Sequence, residues 1–414
     1  MQSVKNAHDL ILASAPAPKQ EIVSLQNAID RVLLEPVFAD RDYPPINRAT
    51  MDGIAISMNS WNAGIRSWRI EYTLPAGNES INLIDSINGC AQIMTGASVP
   101  DNADGVIPFE LLDITNEMAH AKSEALFVPG QNIHLRGIDR KTGDRLLMPG
   151  VRIDAPRIAI MGSVGHADVC VSVPPRVDII STGNEVVPVA QAEISPVQVR
   201  ASNALGIVAA LNRLGIISVN SRHVPDNREI IEKEIGQSLR NADILILSGG
   251  VSMGKYDYVP DALNRSGVET IFHKVAQKPG KPLWFGKTER CHVFGLPGNP
   301  VSTLTVFRRY VTPFVMKCLG LPAAPPLKAR NISLMRPHRS LTTFPPVCGR
   351  ISEAGILEIQ TLPYHGSGDF ASLCESSGFV EIPPGDKPIP ENSILPFFDW
   401  AATGSMIDTR NDSR

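Results

Sequence analysis

What this chain of 414 residues lacks narrows its function before what it contains does. Its six cysteines, Cys90, Cys170, Cys291, Cys318, Cys348 and Cys374, form no C-x-x-C pair, so neither a zinc cage nor a redox dithiol is indicated. Their wide spacing fits reduced thiols in a cytoplasmic protein. No apolar run approaches the length of a membrane span. The opening stretch MQSVKNAHDLILASAP has a short apolar patch but carries His8 and Asp9 and no basic flank, which predicts a helix and not a signal peptide. Lys and Arg number 39 against 42 Asp and Glu, a net charge of −3. That balance argues against a general nucleic-acid surface and leaves anion binding to local placement. No Ser/His/Asp grouping is legible. A G-x-G-x-x-G fingerprint is also missing, which argues against an ordinary Rossmann oxidoreductase.

What is present is concentrated in two glycine-rich strand ends. SGGVSMGKYDY, residues 248–258, follows the apolar run ILIL, and GLPGNPVS, residues 295–302, follows HVF. Each opens into a predicted helix. A glycine-rich turn between strand and helix turns several backbone N–H groups toward one point at the positive end of the helix, which suits phosphate or another oxyanion. Two such turns with the run KPGK between them predict one pocket for a large anionic ligand.

With 43% hydrophobic and 20% charged residues, the chain is long enough for two to four domains. Residues 4–14 and 24–34 have helical spacing of apolar positions, with Pro16, Pro18 and Pro36 as breakers. From residue 61 to 147, short alternating runs separated by Gly, Pro and Asn predict a small β-rich module. From Val177 strands alternate with helices, ending in one long helix over PVSTLTVFRRYVTPFVMKCLG. This pattern predicts a three-layer α/β domain with a mostly parallel sheet, whose ligands sit at the carboxyl ends of strands, where both glycine turns fall. A proline-rich linker then leads to another β module, and the last residues are polar and expected to fray. The fold class is thus α/β multidomain, in four segments: residues 1–47 with 140–174 helical or mixed, 48–139 an inserted β-rich domain, 175–326 the α/β domain, and 327–414 a C-terminal β module.

Three carboxylates, Glu185, Asp226 and Asp257, follow consecutive strands and suit a hard cation such as magnesium at one cleft. Asp226, in PDNREIIEKEI, also reads as a helix N-cap, and caps are commoner than ligands. Lys274, Lys278 and Lys281 read either as a solvated run or, rigidified by prolines and a glycine, as counter-charges for phosphates. Asn299, Pro300 and Ser302 satisfy turn and cap chemistry, while Gly295 and Gly298 beside them favour close approach of a ligand. Asp52 in MDG, Thr95 before Gly96, and Asp139 each read alone as turn residues. His273 and His292 flank the pocket region and read as structural or solvated.

Seven motifs carry a resemblance over nearly the whole chain: MDG at 51–53, IMTGASVP at 93–100, STGNE at 181–185, SGGVSMG at 248–254, KPGKP at 278–282, GLPGNPVS at 295–302 and GSG at 366–368. In these the chain resembles MoeA-type molybdopterin molybdenumtransferases, the bacterial counterparts of the gephyrin E domain. The resemblance implies four domains and an elongated homodimer, with the cleft between the α/β domain of one subunit and the β module near MDG of the other. It implies insertion of molybdate into adenylylated molybdopterin, with a divalent cation, Mg2+, and release of AMP. Asp52, Thr95, Asp139, Glu185, Asp226, Asp257, Lys274 and Lys278 occupy family active-site positions, with Glu185, Asp226 and Asp257 as metal ligands. Ser248, Gly249, Gly250, Ser252 and Gly254 of the first turn, and Pro297, Gly298, Asn299 and Pro300 of the second, fall in the substrate-binding motifs. Lys281, Ser302 and Ser367 fall on the molybdate side. Molybdopterin adenylyltransferase and apo-molybdoenzymes are the implied protein partners, with no nucleic acid and no membrane. The sequence departs from the family at Asn184, where Asp is common, in Arg48–Ala49–Thr50 before MDG, and at Pro346, where many members have an arginine for which Arg350 or Arg339 is a candidate substitute. Two alternatives stand beside the leading one. The first is a molybdopterin adenylyltransferase, since those enzymes share STG, SGG and PGNP in the α/β domain alone. The second is a divergent paralogue with a binding or scaffold role.

Overall fold

A computed structural model describes residues 1–251, 258–323 and 325–402. Ser252, Gly254 and Asp257 therefore lie outside the described residues. The chain divides into two compact units, one of Pro36–Met148 with Pro156–Ala167, the other of Met1–Glu35, Pro149–Ala155 and everything from Asp168 on. Among the described residues no helix is long and apolar enough to cross a membrane.

The smaller unit is built on a six-stranded sheet of β1 (Gly53–Ile56), β2 (Ser67–Leu74), β3 (Gly89–Ile93), β4 (Gly105–Pro108), β5 (Leu112–Thr115) and β6 (Met118–Ala121), in the order β4-β1-β3-β2-β6-β5. All pairings are antiparallel except β2 with β3. All four residues of β1 are buried, because the sheet carries apolar clusters on both faces. Ala55 and Val106 belong to one cluster, Ile54, Ile56 and Ile107 to the other, as the two-residue alternation of a strand requires. Gly53 is obligatory at the start of β1, since any Cβ there would strike the Ile107 carbonyl on β4.

In the larger unit, helix α1 (Val4–Ser14) is capped by Ser3, whose hydroxyl accepts the Asn6 N–H at 3.1 Å. Its buried stripe, Val4, Ala7 and Ile11, has the spacing of one helix face. The second helix expected, over 24–34, does not form. Gln20–Ser24 is instead a strand paired antiparallel with Asp168–Ser172, followed by a single 3-10 turn at Leu25–Asn27. Asp30 has a left-handed φ of 61°, and it and Leu33 donate their N–H groups to Ile153 and Val151. These long-range partners satisfy the backbone and override the local periodicity.

The α/β region contains β7 (Val177–Thr182), α2 (Ser202–Arg213), β8 (Val219–Val224), α3 (Arg228–Asn241), β9 (Ile244–Ser248), α4 (Val259–Arg265), β10 (Glu269–His273), β11 (Trp284–Lys287), β12 (His292–Leu296) and α5 (Pro300–Val306). The sheet order is β8-β7-β9-β12-β11-β10. The first four strands are mutually parallel, while β11 and β10 are antiparallel at one edge. The links from β10 to β11 and from β11 to β12 are too short for a crossover helix, so those strands reverse direction. Alternate residues face alternate layers. Ile179, Ile246 and Phe294 pack against α1, α2 and the last helical run, while Ile180, Leu245, Leu247 and Val293 pack against α3 and α4. The long helix runs from α5 through a π-helical turn at Phe307–Val311 into Thr312–Cys318. Pro313 lacks an N–H and would clash with the carbonyl one turn earlier, and the wider turn relieves this.

The C-terminal module closes as a five-stranded barrel of β13 (Leu327–Asn331), β14 (Pro346–Ile351), β15 (Leu357–Thr361), β16 (Gly378–Val380) and β17 (Ile394–Asp399), in the order β13-β15-β14-β16-β17. Ile359, Val380, Val347 and Phe397 fill it.

Phe294 is fully buried, 4.8 Å from Phe285 and 5.2 Å edge-on to Phe314. Phe294→Ala is expected to cost the larger unit about 3–5 kcal/mol, read as a lower midpoint in urea denaturation. A shift under a third of this would show that the aromatic cluster is not the centre of that core.

Candidate active site

The site begins with sheet register. Ser181 pairs with Ser248, and Ser248 with Leu296, so β7, β9 and β12 end side by side. TGNE, GGV and PGNP therefore leave the same sheet edge. The strands approach so closely there that side chains are excluded. A Cβ at Gly249 would lie 2.8 Å from the Thr182 carbonyl, and one at Gly250 would lie 2.8 Å from Thr182 Oγ1. Both glycines also have left-handed φ, 96° and 66°. The Gly249 N–H donates to the Leu296 carbonyl at 3.2 Å, joining the two glycine turns.

Beyond this edge lies a cavity of about 720 Å³. It gathers most of the residues expected from sequence: Glu185, Asp226, Lys278 and Lys281, with Ser248, Gly249 and Gly250 from one turn and Pro297, Gly298, Asn299, Pro300 and Ser302 from the other. Ser367 reaches it from the C-terminal module, and its hydroxyl accepts a 2.8 Å hydrogen bond from the Asn299 amide. Asn299 precedes α5, but its side chain bonds Ser367 and does not cap the helix. Lys274 is not among the lining residues. It holds a left-handed φ of 75°, its N–H donating to Leu283 and its carbonyl accepting from Gln2. Arg200, Asn203 and Gln277 also line the cavity, and sequence reasoning passed over all three.

Two local arrangements hold the charged groups. Asn184 and Asp226 clasp each other, the Asn184 N–H donating to the Asp226 carboxylate at 3.2 Å and the Asp226 N–H to Asn184 Oδ1 at 3.0 Å. The α3 cap is Asn227, which accepts from Ile230, so the capping role expected of Asp226 falls to its neighbour and Asp226 remains at the cavity. The lysine turn is braced from within by Gln277, which is fully buried. Its amide donates to the Gly280 carbonyl at 3.0 Å and its Oε1 accepts from the Tyr310 hydroxyl. Gln277–Lys278 also pairs in parallel with Thr342–Thr343, and the Phe344 N–H donates to the Lys278 carbonyl at 2.9 Å.

The arginine absent at Pro346 is not replaced by either candidate. Pro346 is buried in β14. Arg350 pairs with Glu358 at 3.2 Å and Arg339 with Asp386 at 3.5 Å, and neither lines the cavity. Its cations among the described residues are Arg200, Lys278 and Lys281. Glu185 and Asp226 are acceptors of the hard-oxygen type that suits Mg2+. Among the described residues no three His, Cys, Asp or Glu side chains gather as a metal cluster.

In the smaller unit, Asp52 Oδ1 accepts from the Thr95 N–H at 2.6 Å and the Thr95 hydroxyl at 2.7 Å. These bonds, the backbone one first, hold its carboxyl below the usual carboxylate range. Asp139 Oδ1 lies 3.0 Å from His134 Nε2, and His134 Nδ1 lies 3.2 Å from Arg48.

Comparison with known proteins fits this arrangement. Residues 2–165 match the MoeA N-terminal region (domain I and II), and residues 178–317 match a probable molybdopterin binding domain. A molybdopterin molybdenumtransferase of Synechocystis is 34% identical over 97% of this chain and 100% of its own length. The chain belongs to the molybdopterin molybdenumtransferase family. Further members are similar, one of Staphylococcus epidermidis at 30% identity over 95% of this chain and 94% of its own, and one of Haemophilus influenzae at 30% over 92% and 94%. Two solved structures of a molybdopterin biosynthesis MoeA protein from Pyrococcus horikoshii superpose with TM-scores of 0.80 and 0.79 at 28% and 24% identity. Both cover 96% of this chain, and 98% and 100% of their own. Membership accounts for the three-layer α/β fold, the flanking modules and the two glycine turns together.

Two outcomes are expected. Gly250→Ala should lower stability by about 1–3 kcal/mol in denaturant titration, because the new Cβ meets Thr182 and the backbone keeps a left-handed φ; an unchanged midpoint would show that the edge yields. Asp52 has a folded pKa below its unfolded value, so its bonds stabilise the smaller unit above the unfolded pKa and lose that effect as pH falls through the folded one. Thr95→Val removes one of the two bonds and should raise the Asp52 midpoint in an NMR titration toward the ordinary range. No movement would show that the hydroxyl does not hold the charge.

Proposed function

We propose that this chain inserts molybdate into adenylylated molybdopterin, releasing AMP, as a transferase of molybdenum cofactor biosynthesis. The observation that carries the reading is the convergence of both glycine turns, the lysine turn and two carboxylates on one cavity of about 720 Å³. The relatives carrying the molybdenumtransferase name match along the full chain, flanking modules included, which disfavours an adenylyltransferase, a class that resembles the α/β domain alone.

On this reading the backbone N–H groups of the two turns hold the phosphates of the pterin nucleotide. Lys278 and Lys281 neutralise charge on the phosphates and on the incoming molybdate dianion, with Ser302 and Ser367 as hydrogen-bonding groups beside them. Glu185, Asp226 and Asp257 would hold Mg2+, which draws electron density from the scissile pyrophosphate when bound. The protein otherwise acts by positioning and electrostatic stabilisation. As in the resemblance, two copies would share each site, with Asp52, Thr95 and Asp139 of a second copy facing it.

With purified protein and adenylylated molybdopterin, AMP release is expected to depend on molybdate and to fall on chelation, returning with Mg2+. Lys278→Ala should lower kcat/KM by roughly 10²-fold. Lys287→Ala, at the opposite end of the sheet, should leave it unchanged. Transfer of AMP from ATP onto molybdopterin, with no molybdate-dependent release, would overturn the proposal.

A further inference from the structure

Asn203 lies near the start of α2, half-buried at the cavity, and its amide nitrogen has three acceptors. With two N–H bonds, it donates one to the Gly298 carbonyl at 2.7 Å and shares the other between Ser248 Oγ at 3.2 Å and Thr303 Oγ1 at 3.3 Å. These belong to both glycine turns and to the helix that follows the second. Ser248 ends β9 and opens the first glycine turn, Gly298 sits within the second, and Thr303 lies in the first turn of α5. Thr303 in turn donates to the Pro297 carbonyl, so the bonds converge on the second turn from both sides. Among the described residues Asn203 Oδ1 is buried with no hydrogen-bond partner, which marks the side chain as placed for its donor end. A buried amide with an unmatched carbonyl costs stability, and a residue chosen for packing alone would not carry that cost.

We infer that Asn203 is a positioning residue that fixes the two glycine turns at one separation, so that a single anionic ligand engages both. Beyond the β9–β12 ladder, which ends at the Ser248–Leu296 pair, the one other backbone hydrogen bond joining them directly among the described residues is the 3.2 Å contact of the Gly249 N–H with Leu296. Without the amide, the turns are each still formed by their glycines and anchored at Ser248 and Leu296 by the ladder, but past that point one long bond holds their spacing. A ligand spanning both must then restrain them itself, which weakens its binding. The identity of that ligand rests on the function proposed above; the geometry of the clamp does not.

The test uses the full chain with Asn203→Leu, which keeps the shape and removes the donor. Asn203→His returns a ring N–H one bond from Cγ, where the amide nitrogen stood. For the leucine variant, KM for adenylylated molybdopterin in molybdate-dependent AMP release should rise about tenfold, the loss of one well-made hydrogen bond. The histidine variant should return to within about threefold of the unchanged protein. Amide hydrogen exchange at Gly249 should quicken relative to Leu245 in the middle of β9. A role in folding alone would lower kcat through the active fraction and leave KM and the exchange ratio unmoved, and that result overturns the inference. Should the leucine variant not fold, Asn203→Ser, too short to reach Gly298, carries the same expectations. If the unchanged protein releases no AMP, the proposed reaction falls, while the exchange ratio still decides the clamp.

Discussion

The parallel register that sets Ser181, Ser248 and Leu296 side by side is the constraint on which the rest of the larger unit depends. A parallel ladder brings three strand ends to one sheet edge, and three loops then share one space. The closeness has a chemical consequence. Gly249 and Gly250 meet the Thr182 backbone and hydroxyl where any side chain would collide, so bare backbone faces the cavity. The glycines thus answer to two demands, a left-handed backbone and a near-contact with the neighbouring strand. Either alone would restrict substitution.

Charge enters this frame through elements that are not part of the parallel ladder. Lys278 and Lys281 sit on the connection between two antiparallel edge strands, and buried Gln277 fixes that connection to the long helix through Tyr310. The strand pairing of Gln277–Lys278 with Thr342–Thr343 ties the lysines to the chain entering the barrel. The barrel also sends Ser367 to Asn299. Among the described residues the C-terminal module therefore contributes to the cavity by bracing its lysine turn and by the side chains of Leu341 and Ser367, not by a charged group.

The legible and illegible parts of the chain separate by the range of the interactions involved. The glycine turns, the lysine turn and the strand–helix alternation are local patterns, and both glycine turns fall where local reasoning put them. The helix expected over 24–34 failed because its backbone bonds go to Asp168–Ser172 and to Val151 and Ile153, over a hundred residues away. Asp226 was ambiguous because PDN offers two adjacent capping residues, and only the structure assigns the cap to Asn227. Asn203 was missed for a related reason. Ser-Asn before an apolar helix reads as ordinary N-terminal chemistry, and its partners Ser248 and Gly298 lie 45 and 95 residues on. The signal available was an asparagine just inside a helix whose start faces two glycine turns.

Pro346 bears on how the cavity handles an oxyanion. A guanidinium grips a tetrahedral anion through two parallel donors and so fixes its orientation, whereas an ammonium acts as a point charge. With Pro346 buried in β14 and Arg339 and Arg350 paired elsewhere, the C-terminal side offers no such fork among the described residues. Arg200 does line the cavity, but one of its terminal nitrogens is already committed to the carbonyls of Gln191 and Ala192. On the function proposed above, attraction for an anion among the described residues then comes mainly from the two lysines, and orientation from neutral donors on fixed backbone. That division makes the geometry of the glycine turns matter more here than it would beside a bidentate arginine, because the turns must supply the direction that the cations do not.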